Sequence, residues 1–332
     1  MAGGLRMTRY ARQTILPEVG EAGQARLAAA HVLVVGAGGL GAAALPGLAG
    51  AGVGRITVVD GDRVALGNLH RQTLYRMDDL GRPKAQAAAA AMAALNPEVA
   101  VRPVIGWLDP ATAPALLDGV DLALDCADSF AASYALSDAC HARGVPMISA
   151  SALGRAGYAG GFCGGAPSLR AVFPDLPARA ATCATAGVMG PVVAALGALQ
   201  AQMALSALLG HAPGPLGRMI TLDAAAWRMG GFSFAGAPEP ADGPALIAPS
   251  QIRPDDLAVE LRCVAEAPRP AAPHALRVAP GDVGRLRVEP GRRVVFCCRT
   301  GLRAWAAATT FTAIRPGPVA VAAANPEMET ER

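Results

Sequence analysis

The sequence predicts an α/β protein: a Rossmann-like, doubly wound, mainly parallel sheet followed by a smaller α/β domain. Three observations carry that prediction. Over the first two-thirds of the chain, short apolar runs alternate with Ala-rich helical stretches, the rhythm of a parallel sheet covered by helices. The run HVLVVGAGGLG, His31 to Gly41, reads as a buried strand that ends in glycines opening a helix. At 332 residues the chain exceeds what one core usually holds, since cores rarely grow past roughly 250 residues, so a second domain is expected.

The strands expected in the first domain are His31 to Val35, Arg55 to Asp60, Val99 to Val104, Leu122 to Cys126, Pro146 to Ala150 and Met219 to Asp223. Helices are expected at Gly41 to Ala51, Pro83 to Leu95, Ser129 to Arg143 and Pro191 to Leu209, with Asn96-Pro97 and Gly144 as stop signals. From Phe232 to Pro249 the sequence turns Gly/Pro/Ala-rich without periodicity, which reads as a linker. The expected boundaries are therefore a first domain at 1–235, a linker at 236–249 and a second domain at 250–325. In the second domain one strand is clear, Arg293 to Phe296, leading into Cys297, Cys298 and a glycine turn.

Composition narrows the function classes. The chain is 52% hydrophobic, 17% charged and 4% aromatic, with 29 basic and 26 acidic residues and a formal charge of +3. No Lys/Arg cluster with interleaved aromatics marks a nucleic-acid partner. The start MAGGLRMTRYARQ lacks the apolar core of a signal peptide, which points to the cytoplasm. Val188 to Leu209 has the length of a membrane span, but Pro191, Gly197, Gln200 and Gln202 and the absence of aromatic anchors favour a buried helix and no membrane. The seven cysteines, Cys126, Cys140, Cys163, Cys183, Cys263, Cys297 and Cys298, contain no C-x-x-C pair, so neither a disulfide framework nor a zinc site is expected.

In the glycine run, Gly36, Gly38 and Gly41 suit a tight turn, close approach of backbone to a phosphate, and packing of helix on strand, with the helix N-terminus facing the anion. Asp60 ends the next strand and fits ribose hydroxyls of NAD or ATP equally. The following segment, VVDGDRVALGNLHRQ with Gly81-Arg82-Pro83-Lys84, adds polar and cationic groups. Arg71 and Lys84 are suited to neutralise a departing pyrophosphate. Asp128, in Asp125-Cys126-Ala127-Asp128-Ser129, suits either magnesium or the N-cap of the helix beginning at Ser129.

Taken together, these runs resemble the ThiF/MoeB/HesA family, the bacterial relatives of ubiquitin-activating enzymes. The resemblance covers about Arg9 to Phe234. It rests on RYARQTILPEVGEAGQ, VGAGGLG, GVGRITVVDGDRVALGNLHRQTLY, GRPKA, DCADS and TCATAGVMGP, in that order along the chain. It implies ATP rather than NAD. Gly39 with Gly36, Gly38 and Gly41 would lie against the nucleotide, and Asp60 would hold the ribose. Asn68, Arg71 and Lys84 would hold the phosphates, and Asp62, Gln72, Gly67, Leu69, His70 and Ser129 would line the pocket. Asp128 would bind Mg²⁺. Arg12 matches an arginine that relatives insert into the ATP site of a neighbouring subunit, which implies a homodimer. The implied reaction is adenylylation of the C-terminal glycine carboxylate of a small ubiquitin-like sulfur carrier ending in Gly-Gly. Cys183 matches a motif cysteine that bonds covalently to the carrier in some relatives. Where many relatives carry C-x-x-C pairs for zinc, this sequence has Ser168 and Ala171 near the first location and no cysteine between Cys183 and Cys263.

Near the C-terminus, Cys298-Arg299-Thr300-Gly301-Leu302-Arg303 resembles the active-site loop of rhodanese-like sulfurtransferases, implying a small, degenerate rhodanese-like domain. A loop after a strand can aim backbone N–H groups at one sulfur, and Arg299 and Arg303 favour a thiolate or persulfide. The upstream acidic motif of such domains is not evident in the sequence. Cys297 should point to the opposite face of its strand, into a core. Two other readings compete with adenylylation: an NAD-dependent Rossmann oxidoreductase, supported by the glycine run and Asp60, and a non-catalytic carrier-binding protein.

Overall fold

A computed structural model describes residues 9–176, 186–241 and 243–324. The N-terminal segment forms helices α1 (Ala11–Thr14) and α2 (Gly20–Ala29). There follow β1 (His31–Val35), α3 (Gly39–Ala51), β2 (Arg55–Val59), α4 (Lys84–Leu95), β3 (Ala100–Val104), α5 (Ala113–Leu116), β4 (Leu122–Asp125), α6 (Phe130–Arg143) and β5 (Pro146–Leu153). The first domain closes with β6 (Ala156–Cys163), α7 (Leu169–Val172), α8 (Gly190–Leu209), β7 (Arg218–Asp223) and β8 (Arg228–Ser233).

Its sheet has the order β3-β2-β1-β4-β5-β6-β7-β8. The first five strands are parallel and the last three antiparallel. Every residue of β1 is buried, as a strand covered on both faces requires. One face carries α3, α4 and α8 over a core that includes Leu45, Leu48, Ile56, Leu124 and Leu196; the other carries α5 and α6 over Leu33, Leu117, Leu136 and Phe162. Helix α8 has the length and apolar composition to cross a membrane. It lies instead against the sheet with Val192, Leu196, Ala201 and Ala204 buried. Its buried Gln200 donates from Nε2 to the carbonyls of Asp125 at 2.7 Å and Ile148 at 3.2 Å, and its Oε1 accepts from the Cys126 thiol at 3.4 Å.

Two strands absent from the sequence reading are β6 and β8. Both are interrupted by glycines, which ordinarily weaken a strand, and here backbone proximity explains them. A Cβ at Gly161 would sit 2.6 Å from the Pro215 carbonyl oxygen, and one at Gly231 would sit 2.6 Å from that of Met219.

The second domain holds β9 (Ala245–Ile247), β10 (Leu257–Glu260), β11 (Leu276–Arg277), β12 (Val294–Cys298), α9 (Leu302–Ile314) and β13 (Val319–Ala323). All its strands are parallel, in the order β11-β10-β12-β13-β9. The expected linker at 236–249 is corrected here: β9 lies inside it and pairs with β13 from Ala245↔Ala320 to Ala322↔Ile247. The short edge strand is too brief for a period-2 pattern to show. Cys297 and Cys298 point to opposite faces of β12, Cys297 with Val295 and Ala320, Cys298 with Phe296 and Trp305.

The two domains meet through α6 and the start of α9. The Tyr134 and Trp305 rings stand edge to face with centroids 6.0 Å apart. The Arg170 guanidinium lies 5.1 Å from the Trp305 ring and 5.5 Å from that of Tyr134, while bonding both oxygens of Asp138 at 2.6 and 2.7 Å. Desolvated cation–π contacts of this kind contribute about 0.5–2 kcal/mol each.

Candidate functional site

The strand order reverses direction at β1, whose neighbours are β2 and β4. In such sheets the crevice outside the C-terminal ends of the two central strands is the usual ligand site. The glycine turn, at the end of β1, and the Asp125–Ser129 segment, at the end of β4, border that crevice. Gly36 has φ +96°, and a Cβ there would lie 2.5 Å from the Cys126 carbonyl oxygen, so only glycine fits. Gly41 abuts the Gly36 carbonyl and Gly39 abuts Val193 of α8. Gly38 differs: a Cβ there would meet only Gln72 Nε2, at 3.8 Å. The fold does not need its missing side chain, so the room above it is left for a ligand. Gly38 is also the N-cap of α3 and accepts no side-chain cap, so the first N–H groups of that helix have no partner within it and face the crevice.

Asp60 is the acidic wall of the turn. Its Oδ2 accepts from the Ala37 N–H at 2.7 Å and its Oδ1 from the Asp62 N–H at 2.8 Å. Burial raises its pKa, opposed by the charge of Lys84. Lys84 begins α4, is 4% exposed, and holds Asp62 Oδ2 at 2.6 Å. Arg71 donates to the His70 ring at 2.8 Å and to Asn68 Oδ1 and the Gly67 carbonyl at 3.3 Å. Its backbone lies beside Gly39 and beside Gly190, the first residue of α8. Gln72 is 3% exposed, and its Oε1 has no hydrogen-bond partner among the described residues, a buried acceptor that a ligand or water donor would satisfy. Leu69 packs on the core under this segment.

Asp128 and Ser129 are exposed between β4 and α6. Ser129 is the N-cap of α6 and makes no side-chain cap bond, and Asp128 makes none either, so the capping alternative is not realised. A carboxylate left without partners among the described residues beside the crevice suits Mg²⁺, which takes one or two carboxylates and completes its shell with phosphate oxygens and water. Among the described residues no cluster of three or more His, Cys, Asp or Glu could hold a metal by itself.

Arg12 is placed away from these residues. On α1, its neighbour Gln13 bonds the Ala51 carbonyl at 3.0 Å, and Arg9 reaches the Leu95 carbonyl, so α1 lies at the C-terminal ends of α3 and α4. With 13 residues, α3 puts Arg12 about 20 Å from the glycine turn of its own chain, beyond a side chain's reach. Cys183 lies outside the described residues.

Sequence reasoning missed Tyr75, whose buried hydroxyl donates to the Ala37 carbonyl at 2.7 Å, and Asp125, whose Oδ2 accepts from Ser149 Oγ at 2.7 Å. Burial, only partly offset by the Ser149 hydroxyl, raises the Asp125 carboxyl to about 6. Both residues stood in the matched runs, but nothing in a one-dimensional pattern distinguishes a buried hydroxyl or carboxyl from an exposed one.

The ThiF family model matches residues 10–240, the whole of the first domain. The chain belongs to the ThiF family. The SAMP-activating enzyme E1 of Haloferax volcanii is 40% identical over 220 residues, 66% of this chain and 82% of that protein. The molybdopterin-synthase adenylyltransferase of Escherichia coli is likewise 40% identical over 220 residues, 88% of its length. The adenylyltransferase and sulfurtransferase MOCS3 of Bos taurus is 46% identical over 219 residues, but the match covers only 48% of it, and this chain spans about half the length of several such relatives. Among solved structures, Escherichia coli MccB with ATP shares the fold at a TM-score of 0.59, with 21% identity, over 71% of this ThiF-family chain and 73% of that one.

The second domain has its own candidate cysteine. Cys298 ends β12, is 1% exposed, and its Sγ accepts the Ala304 N–H at 3.3 Å. Arg303 is held by Glu266 through two bonds of 2.9 and 3.1 Å, which depresses the Glu266 carboxyl to about 2. Glu266, with the buried Glu260–Arg262 pair at 2.8 Å, supplies upstream acidic groups beside the loop that the sequence alone did not reveal. Glu260 ends the four-residue strand β10, and Arg262 and Glu266 lie in the loop after it, so no periodic signal links the three.

Proposed function

We propose that the protein adenylylates the C-terminal glycine carboxylate of a small ubiquitin-like sulfur carrier, using ATP and releasing pyrophosphate. The reading is carried by one arrangement: a buried lysine and an arginine gathered beside a glycine turn whose helix N-terminus is uncapped. A dehydrogenase needs the turn and Asp60, but it has no use for two cations there.

In this reading the triphosphate lies over Gly38 against the N–H groups opening α3, and Asp60 faces the ribose. Arg71, Asn68 and Lys84 hold the phosphates, with Gly67, His70 and Gln72 around them. Asp128 would hold Mg²⁺, which supplies further neutralisation of phosphate charge. A carrier carboxylate oxygen forms a bond to the α-phosphorus as the bond from that phosphorus to the pyrophosphate oxygen breaks, and the electron pair leaves with pyrophosphate. A carboxylate is already deprotonated, so no general base is required. The chain contributes proximity and charge compensation for the leaving group. Lys84 is tied to Asp62 until phosphate competes for it, which keeps a buried ammonium paired before substrate arrives.

The homodimer reading draws support from Arg12, which projects too far from its own crevice to serve it. The second domain we read as rhodanese-like, with Cys298 as the sulfur-bearing thiol. Its parallel sheet, the Ala304 N–H on the sulfur and the tethered Arg303 support that reading.

Carrier-dependent exchange of pyrophosphate into ATP tests the main proposal. Arg71→Ala and Lys84→Ala are each expected to lower the exchange rate at least about 100-fold, the usual cost of losing one charge-stabilising group. Exchange at the wild-type rate in both variants would overturn it.

A further inference from the structure

We infer that Tyr75 is a positioning residue for the nucleotide phosphates, acting through the peptide that joins Ala37 to Gly38. The inference rests on the adenylyltransferase reading and adds a residue to that site. Tyr75 is 4% exposed and sits in the core beneath the glycine turn. Its hydroxyl donates to the Ala37 carbonyl oxygen at 2.7 Å and lies 3.4 Å from the carbonyl of Lys84. On the other side of the same residue, the Ala37 N–H is held by Asp60 Oδ2 at 2.7 Å. Ala37 is thus clamped at both its donor and its acceptor, inside a turn where Gly36 already has φ +96°.

The consequence follows from peptide geometry. In a trans peptide the C=O of one residue and the N–H of the next point in opposite directions and cannot rotate independently. Fixing the Ala37 carbonyl toward Tyr75 therefore fixes the Gly38 N–H away from Tyr75, where it meets no backbone acceptor among the described residues. That N–H belongs to the N-cap of α3 and has no acceptor within the helix. Without the clamp, the Ala37–Gly38 peptide can tilt, because glycine imposes little restriction on its own φ and ψ. Tyr75 then touches no substrate atom, yet it orders the donor that meets the phosphates, and its bond to the Lys84 carbonyl region ties the same turn to the start of α4. Burial raises the phenol far above its ordinary pKa, so it remains a donor across the working pH range.

Tyr75→Phe keeps the ring and removes only the hydroxyl, so the fold is expected to persist, checked by melting temperature. ATP and adenosine binding are then measured separately on the full chain by calorimetry, alongside KM and kcat for ATP in pyrophosphate exchange. The expected result is a loss of ATP affinity of about 3- to 10-fold, the equivalent of one neutral hydrogen bond, with adenosine affinity unchanged. A loss shared equally by ATP and adenosine, or no loss at all, would overturn the inference. Failure of the wild-type chain to bind ATP would instead remove the adenylyltransferase reading on which it stands.

Discussion

The protein uses a strand–turn–helix unit twice. In the first domain β1 runs through Gly36–Gly38 into α3, and in the second β12 runs through Cys298–Gly301 into α9. Both helices have glycine at the N-cap, Gly38 and Gly301, and both begin at the C-terminal end of a central parallel strand. The units differ in what meets the helix start. The start of α3 carries no side-chain cap, whereas an early N–H of α9 is already bonded to the Cys298 sulfur. The space around the second turn is closed as well: Thr300 and Gly301 face Phe130 and Ala131 of α6 across a cavity of only about 10 Å³, at the lower limit for one water. The same local geometry therefore yields an uncapped helix start in one place and a covered thiol in the other, and the neighbouring element decides between them.

The largest expected effect separates the two turns directly. Gly36→Ala places a Cβ against the Cys126 carbonyl and holds alanine at φ +96°. It should abolish measurable ATP binding and lower the melting temperature by roughly 5 °C or more. Gly301→Ala also requires a positive φ, but its nearest atoms, Ala131 Cβ and Ala323 Cβ, are 3.7 Å away. It should cost stability through φ alone and leave ATP binding intact. Equal loss of ATP binding in both would erase the distinction between the turns.

A second, intermediate effect probes the cover. Trp305→Ala removes the ring that meets Tyr134 and Arg170 and should open the domain contact. Among the described cysteines, Cys263, which is exposed, should react first with an alkylating reagent under native conditions, and Cys298 should be slow. In Trp305→Ala the Cys298 rate, followed by peptide mass spectrometry, should rise by about 10-fold, as loss of about 1.4 kcal/mol of docking energy predicts. An unchanged Cys298 rate would show that the thiol is closed by its own domain rather than by α6.

The smallest effect concerns pH. Asp125 at the end of β4 has a folded-state pKa raised to about 6 by burial, above its ordinary value of 3.8. Between those values the folded chain binds more protons than the unfolded one, so this group's contribution to stability is present at low pH and lost as pH rises through 6. Melting temperatures of the wild-type chain should therefore fall relative to Asp125→Asn between pH 4 and pH 7. A constant difference over that range would show that Asp125 is already ionised in the folded protein.

Much of the first domain could be read from the sequence because its signals are local. The strand His31–Val35 and the glycines after it declare themselves by hydrophobicity and by residues with no side chain. Gly144 stops α6 through a left-handed φ of +67°, a property of the residue itself. The strands β6 and β8 could not be read, since their glycines answer to the carbonyls of Pro215 and Met219 across the sheet. Nor could β9, whose partner β13 lies more than seventy residues away. At the site, the charged residues of the matched runs were legible as types, while the Lys84–Asp62 pairing, the Tyr75 clamp and the displacement of Arg12 required the fold. Charge can be counted along a chain, but burial and distance cannot.

Gln200 gives α8 a further property. Apart from Gln200, the flank that α8 buries is apolar throughout, so hydrophobic burial alone distinguishes poorly between one seating of the helix and another. Sliding the helix by one turn, about 5.4 Å, would preserve most of the greasy contact but strand the amide away from the carbonyls of Asp125 and Ile148. Each buried group left unpaired costs about 1–3 kcal/mol, so a single amide acts as an indexing pin in an otherwise slippery joint. Because Gly190 at the head of α8 lies beside the backbone of His70 and Arg71, that pin also sets, from the middle of the helix, how the helix end meets the crevice at the glycine turn.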